Sequence, residues 1–280
     1  MTTITLKALW IYPVKSLAGI QLNSARIRAT GLEGDREWMI VNAEGKFVTQ
    51  RQLPSLATII TGHNTLGELQ LTAPNGETVG VPAPDGPSQP VRVWRDECLA
   101  KIAPKAINEW LTRTAESNSE LRLVQFDKSR QRANNEERFG SASTYFADAA
   151  PLLLCNQQSL NSLNQHLISE GTAAIDMRRF RPNLVVDGLD AFSEHQYTRL
   201  CNVEQPALQL GLVDHCQRCA IITVNQSTGQ RDKGAVPFKQ LAQINSMPHN
   251  HKAPAFGVNS ILLGGDGLML SCGETFTKDH

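Results

Sequence analysis

Short runs of β-branched and aromatic residues, cut apart by turn formers, fill the first hundred residues and limit the fold more than any other feature of the chain. Residues 6–14 mix aliphatic and aromatic side chains. Residues 37–41 and 46–50 flank Asn42-Ala43-Glu44-Gly45, a hairpin signature. Residues 68–73 alternate apolar and polar before Pro74-Asn75-Gly76 turns the chain back. Pro82, Pro84, Pro87 and Pro90 hold the next stretch in a loop, and residues 91–94 restart a strand. Many short strands with turns between them predict a barrel or a folded-over sheet.

The remainder is mixed. Pro104 suits the first turn of a helix on which Ile107, Trp110 and Leu111 form one apolar stripe. Residues 127–143 are polar and read as a mobile loop. Residues 151–155 read as a buried strand, and 159–167 as a helix with Leu160, Leu163 and Leu167 on one side. Residues 183–186 and 220–224 read as short strands, 238–244 as a small helix. Residues 258–263 and 268–271 read as a closing hairpin around Gly264-Gly265-Asp266-Gly267. The fold class is mostly β with α/β elements. A boundary near residue 118 separates a barrel-like β part over 1–118 from a mixed part over 119–280.

A chain of 280 residues that is 41% apolar and 19% charged can build a substantial core. Lys and Arg total 27, as do Asp and Glu, so the net charge is zero. That balance argues against sequence-blind nucleic-acid binding. No apolar run approaches the roughly 20 residues of a membrane span. The first ten residues carry no basic leader before an apolar run, so no secretory signal is expected. With no export signal, the six cysteines are expected to be reduced thiols in a cytoplasmic protein.

The strongest local motif is His215-Cys216-Gln217-Arg218-Cys219. A structural zinc site needs four ligands, and the motif supplies three candidates. A thioredoxin-like pair starts a helix after a strand, whereas this pair precedes a run with strand character. A third reading is a single thiolate beside a cation, since Arg218 adjoins Cys219. The fourth is two buried cysteines with no chemistry. Basic residues also gather at strand ends: Lys15-Ser16, Gly34-Asp35-Arg36, Thr49-Gln50-Arg51 and Arg178-Arg179-Phe180-Arg181-Pro182-Asn183. Guanidinium forks and backbone amides match phosphate geometry, so these ends could assemble an anion pocket or remain solvated surface charge. The glycine signatures of Walker and dinucleotide sites are absent. His249-Asn250-His251 reads as a surface loop rather than a metal pair.

Taken together, Tyr-Pro-Val-Lys-Ser at 12–16, Gly-x-x-Gly-Asp-Arg at 31–36 and Thr-Gln-Arg at 49–51 resemble the N-terminal β-barrel domain that accompanies MOSC domains. Arg-Phe-Arg-Pro-Asn at 179–183 and Cys-x-Arg-Cys at 216–219 resemble the MOSC domain itself, in the family's order, which implies a second β-barrel domain with flanking helices over 119–280. The pattern is similar to that of the amidoxime-reducing components of mitochondria and their bacterial counterparts. The resemblance implies a molybdenum cofactor, with Cys219 as the metal ligand and catalytic residue. It implies that Lys15, Ser16 and Arg36 hold the phosphate end of the pterin, that Arg181 and Asn183 line the pocket, and that Arg218 stands where the family has an arginine. The implied activity is reduction of N-hydroxylated compounds. Electrons would come from a separate donor, a flavin reductase or a ferredoxin-type protein, because no plant-type iron–sulfur cysteine cluster occurs. Two alternatives stay open: sulfur transfer through a Cys219 persulfide, and a molybdenum-cofactor carrier without turnover.

Overall fold

A computed structural model describes residues 3–280. Seven strands close on themselves. Around the barrel they run Leu152–Asn156, Leu184–Asp187, Ile4–Ile11, Thr275–Asp279, Arg199–Asn202, Gln209–Gln217 and Asn250–Gly264, which returns to pair with Leu152–Asn156. Only the first two of these strands pair in parallel, so their connection must cross over. The helix Gln157–Ser169 makes that crossover and buries Leu160, Leu163 and Leu167, the predicted stripe. Alternation along the strands sends Ile4, Leu6, Leu154, Leu184, Val186, Leu210 and Phe276 into one core.

A half-barrel of four antiparallel strands lies beside it: Trp38–Val41, Arg122–Phe126, Asp96–Ile102 and Gln89–Val93. Pro90 sits in the edge strand of this sheet, where its missing N–H breaks no ladder. A three-stranded meander, Ile60–His63, Leu69–Thr72 and Thr78–Val81, turns at the predicted Pro74-Asn75-Gly76. The helix Lys105–Thr114 packs Ile107, Trp110 and Leu111 against Trp38, Leu56, Leu71 and Leu123. No helix among the described residues is long and apolar enough to cross a membrane.

The structure departs from the sequence reading at four segments. Residues 220–224 form a 3-10 turn, Ala220–Thr223, not a strand. The preceding strand Gln209–Gln217 already has partners on both sides, so no edge is left for the Ile-Ile-Thr-Val run to join. Residues 268–271 do not fold back on 258–263; Met269–Ser271 pairs with Ser24–Arg28, and the Asp266 carboxylate accepts from the Ala29 N–H at 2.8 Å. Residues 46–50 form no strand; they meet the half-barrel through single bridges at Lys46 and Phe47 and through the Val48 N–H, which donates to Ile40 O at 2.8 Å. Within 127–143, Arg132–Ala133 pairs with Ser143–Thr144 around a short helix, Glu136–Phe139. Buried Arg132 ties this segment down through Asp96 at 2.8 Å and the carbonyls of Tyr145 and Ala147 at 3.0 and 2.7 Å.

Barrel closure depends on Gly257. Its φ is +75°, and a Cβ there would lie 2.6 Å from the Leu154 carbonyl oxygen and 2.7 Å from Cys155 Sγ. Gly257→Ala is therefore expected to lose roughly 2–4 kcal/mol, left-handed strain plus overpacking at the seam. Gly76, at φ +89° with open space around it, supplies the control, since Gly76→Ala carries only the backbone strain. Denaturant titration of both variants checks this, and equal losses would mean that the seam is not tightly packed.

Candidate functional site

A cavity of about 470 Å³ lies where the barrel meets the half-barrel. Three chain crossings build its basic end. After Ile11 the chain leaves the barrel and zips along the approach to the half-barrel, with Arg36 N–H to Tyr12 O at 2.9 Å, Trp38 N–H to Pro13 O at 3.0 Å and Lys15 N–H to Trp38 O at 2.8 Å. This sets Lys15 and Arg36 side by side. The 3-10 turn Met177–Phe180 then delivers Arg181, in a left-handed conformation at its C-cap. Gln50 Nε2 donates to the Ser16 carbonyl at 2.8 Å and brings Thr49 and Arg51 to the wall.

The Arg36 and Arg181 guanidinium groups lie 4.3 and 4.1 Å from the Tyr12 ring centroid. Cation–π attraction and the Asp35 carboxylate, 2.5 Å from Arg36 Nη1, compensate their loss of water. Burial raises the Asp35 carboxyl above its usual range, with Arg36 and the Tyr12 N–H opposing. Burial also raises the Tyr12 phenol and brings Arg181 down to about 10. Arg181 Nη1 donates to Leu17 O at 2.7 Å, while its Nη2 is buried with no partner. Buried Lys15 donates to Phe146 O at 2.8 Å and pairs with Asp148. Burial lowers the Lys15 ammonium and Asp148 raises it. Burial works against the Asp148 charge, yet Lys15 and the Trp94 indole, which donates at 2.9 Å, hold its carboxyl well below the usual range. Ser16, Arg36, Trp94 and Arg181 all have positive φ and all line this cavity. Strain gathered in one place marks a site whose side chains are aimed rather than relaxed.

The opposite end carries the Cys-x-x-Cys motif. Register shifts in the strand Gln209–Gln217, between Leu212 and Asp214 and between His215 and Gln217, interrupt the alternation of faces. Asp214, His215, Cys216 and Gln217 all reach the cavity in consequence. Arg218 Nη1 lies 2.9 Å from Cys216 Sγ, and its Nη2 donates to Phe180 O at 2.8 Å; its Nε is buried and unpartnered. The cation expected beside Cys219 is thus turned onto Cys216. Burial pushes the Cys216 thiol up, and Arg218 opposes. Cys219 is half-buried at the N-cap of the Ala220–Thr223 turn. Among the described residues, no three His, Cys, Asp or Glu side chains converge as a metal cluster would require.

Lys15, Ser16, Arg36, Arg181, Asn183, Arg218 and Cys219 all line the one cavity. Asn183 is also a strut, accepting from Leu153 N–H at 3.1 Å and donating to Trp10 O at 3.2 Å. Of the neighbouring basic residues, Arg178 pairs with Asp176, and Arg179 turns away to Asp232 at 2.6 Å. Of the expected loop 249–251, His249 is exposed and also lines the cavity, while Asn250 and His251 open the strand Asn250–Gly264. Asp148, Trp94 and the Arg138–Asp214 pair escaped the sequence reading. Asp148 stands in an Ala-Asp-Ala-Ala stretch without pattern, and Trp94 was read as a strand residue; it is exposed just beyond strand Gln89–Val93.

Residues 3–118 match the family model described as the MOSC N-terminal beta barrel domain, and residues 141–272 match the MOSC domain. The chain is 31% identical over 233 residues to mitochondrial amidoxime-reducing component 1 of Xenopus laevis, covering 79% of this chain and 66% of that protein. It is 30% identical over 273 residues to mitochondrial amidoxime reducing component 2 of Bos taurus, covering 91% and 77%. It is also 28% identical over 260 residues to molybdenum cofactor sulfurase of Oryza sativa subsp. japonica, covering 86% of this chain and 31% of that protein.

The Lys15–Asp148 pair has a pH signature. A carboxylate held below its usual range adds stability above its unfolded pKa, near 4, and loses it as pH falls through the folded value. Asp148 is 63% exposed at its side chain, so solvent screens the pair. Asp148→Asn is expected to lose only about 1 kcal/mol at pH 7. The gap from wild type should close as pH drops below about 4. Thermal unfolding from pH 7 to pH 2.5 measures it, and equal stability at pH 7 would remove Asp148 from the electrostatics of the site.

Proposed function

The chain belongs to the MOSC family, and from that premise we propose that it is a molybdenum-cofactor-dependent reductase of N-hydroxylated compounds that takes its electrons from a separate protein. One observation carries the reading: a single cavity joins buried cations at one end to a half-buried thiol at the other. The unpartnered Arg181 Nη2 and Arg218 Nε give buried N–H donors in the walls of that cavity, and such donors call for an acceptor. An anionic pterin with a terminal phosphate and a soft metal end fits that donor set.

In this reading Lys15, Ser16, Arg36 and Arg181 hold the phosphate end, Asn183 keeps the wall in place, and Cys219 ligates the metal. When bound, the cofactor supplies the two-electron centre for N–O cleavage. Arg218 holds Cys216 aside, leaving Cys219 as the uncommitted thiol. The relatives named amidoxime-reducing components support this activity, and in this reading the separate donor is either a flavin reductase or a ferredoxin-type protein. A second reading, sulfur transfer through a Cys219 persulfide, is favoured by the likeness to a molybdenum cofactor sulfurase and by the partial exposure of Cys219.

Protein from a cofactor-producing host should carry close to one molybdenum per chain by elemental mass spectrometry. Cys219→Ala should abolish dye-driven reduction of an N-hydroxylated substrate, while Cys216→Ala should be far milder. Equal loss from both would indicate a paired-cysteine site instead. A Cys219 persulfide, seen as a gain of one sulfur in mass and removed by thiol, with no N–O reduction from any donor, would install sulfur transfer as the function.

Lys15→Ala and Arg36→Ala each remove charge-assisted hydrogen bonds and should each weaken cofactor retention by about 10- to 150-fold. Pterin content after dialysis measures this, with far-UV circular dichroism to show an intact barrel. A full load in the double variant would put the phosphate elsewhere.

A further inference from the structure

Two histidines remain without a role. The His215 ring lies flat on the His195 ring, with centroids 3.8 Å apart and planes 9° from parallel. His215 lines the cavity, and His195, from the 3-10 turn Ser193–Gln196, lies behind it. Asn245 Nδ2 lies 3.2 Å from His195 Nε2 and donates to Ala255 O at 2.9 Å. An amide N–H directed at Nε2 makes that nitrogen the acceptor and leaves the ring proton on Nδ1, which is buried without a partner. Burial and the neighbouring His215 bring His195 down to about 3, so it stays neutral. His215 therefore rests on a fixed, uncharged plate.

The groups facing His215 come from several elements. Asp214 and Cys216 flank it on its own strand, His195 lies beneath it, His249 faces it from the loop before Asn250–Gly264, and Arg138 reaches it through Asp214. Asp214 is committed, to Arg138 at 2.6 and 2.8 Å and to Asn259 at 2.8 Å. Arginine does not release a proton at any working pH. The Cys216 thiol is held by Arg218. His249 is exposed and has no fixed orientation from a stacking partner. Among the described residues at the cysteine end of the cavity, only His215 combines a titratable N–H, a fixed orientation and a place in the wall.

We propose that His215 is the proton-donating residue of the site and that His195 positions it. The inference rests on the reductase reading, in which R–NH–OH, two electrons and two protons give R–NH2 and water. The N–O bond breaks, nitrogen is reduced, and the donor protein is oxidised by two electrons. His215 gives one proton to the departing oxygen and recovers it from solvent through the cavity mouth. Burial and His249 lower the His215 imidazolium, and Asp214 raises it, with a net downward shift. The rate should therefore fall as pH rises through a midpoint below 6.5.

Histidine ring resonances of the holoprotein, followed by NMR from pH 4.5 to pH 8, test the pair independently of turnover. The His215 signal, identified by its loss in His215→Gln, should keep its midpoint in His195→Phe, which retains a stacking ring. It should move up in His195→Ala, which lets in water. In steady-state assays, His215→Gln and His215→Phe should each lower kcat by at least about 100-fold with little change in KM, and should flatten the pH limb. The Phe variant keeps the stack and loses only the proton, so a misfolded Gln variant does not decide the matter. Full kcat with an unchanged limb in either variant, or a His215 midpoint indifferent to both His195 substitutions, overturns the proposal. A wild type that reduces no N-hydroxylated compound counts against the reductase reading, while the NMR arm still decides the His195–His215 coupling.

Discussion

Buried positive charge in excess of buried negative charge is the constraint around which this molecule is organised. Lys15, Arg36, Arg181 and Arg218 line one cavity, and the carboxylates close to them are Asp35 and Asp148. Charge taken from water is costly unless paired, and the fold supplies partial substitutes: the Tyr12 ring between two guanidinium groups, backbone carbonyls of Leu17, Phe146 and Phe180, and the Cys216 sulfur. Two buried N–H groups in these walls remain unanswered. A site that spends stability in this way is preorganised for an anion, since the ligand completes a set of donors already desolvated and aimed.

The barrel makes that excess tolerable by holding its members on different strands. Ile4–Ile11 is locked between Leu184–Asp187 and Thr275–Asp279, so the chain leaves the barrel at Tyr12 in a fixed direction. Asn183 ties the same exit to the neighbouring strand through Trp10 and Leu153. The left-handed conformations of Ser16, Arg36 and Arg181 follow from these anchors. Each would relax in an isolated loop; here backbone bonds on both sides determine it. The cations are consequently positioned by sheet register, which is stiffer than side-chain packing alone.

Much of this was legible in the sequence where local chemistry decides local structure. Pro74-Asn75-Gly76, the Leu160–Leu163–Leu167 stripe and the Phe238–Ile244 helix read correctly because turn chemistry and helical period act over a few residues. Lys15, Arg36 and Arg181 stand out through the MOSC motifs that contain them, since a single cation at a strand end reads equally well as solvated surface charge. The rest depends on contacts between distant residues. That 220–224 is a turn follows from both edges of Gln209–Gln217 being taken, and no local window contains that fact. Met269–Ser271 pairs with Ser24–Arg28, nearly the whole chain away. Asp148 acquires meaning only from Lys15, which has no sequence proximity to it.

The same reasoning separates the two cysteines of the motif, of which the family resemblance gives the metal to Cys219. Cys216 lies on the barrel strand, where its half-buried thiol receives the Arg218 guanidinium at 2.9 Å and is drawn into the wall. Cys219 lies two residues past the strand, at the start of a turn whose backbone bonds close locally from Ile222 N–H to Cys219 O at 3.3 Å. Its side chain is thus free of the barrel's hydrogen bonding while its backbone is fixed. A soft ligand for a metal, or a carrier of sulfur, needs that combination: a sulfur with no prior partner on a backbone that cannot drift. By occupying Cys216, Arg218 leaves one thiol rather than two available to whatever the cations hold in place. The sequence places Arg218 beside Cys219; the structure turns it onto Cys216, and among the described residues the Cys219 sulfur keeps no hydrogen-bond partner.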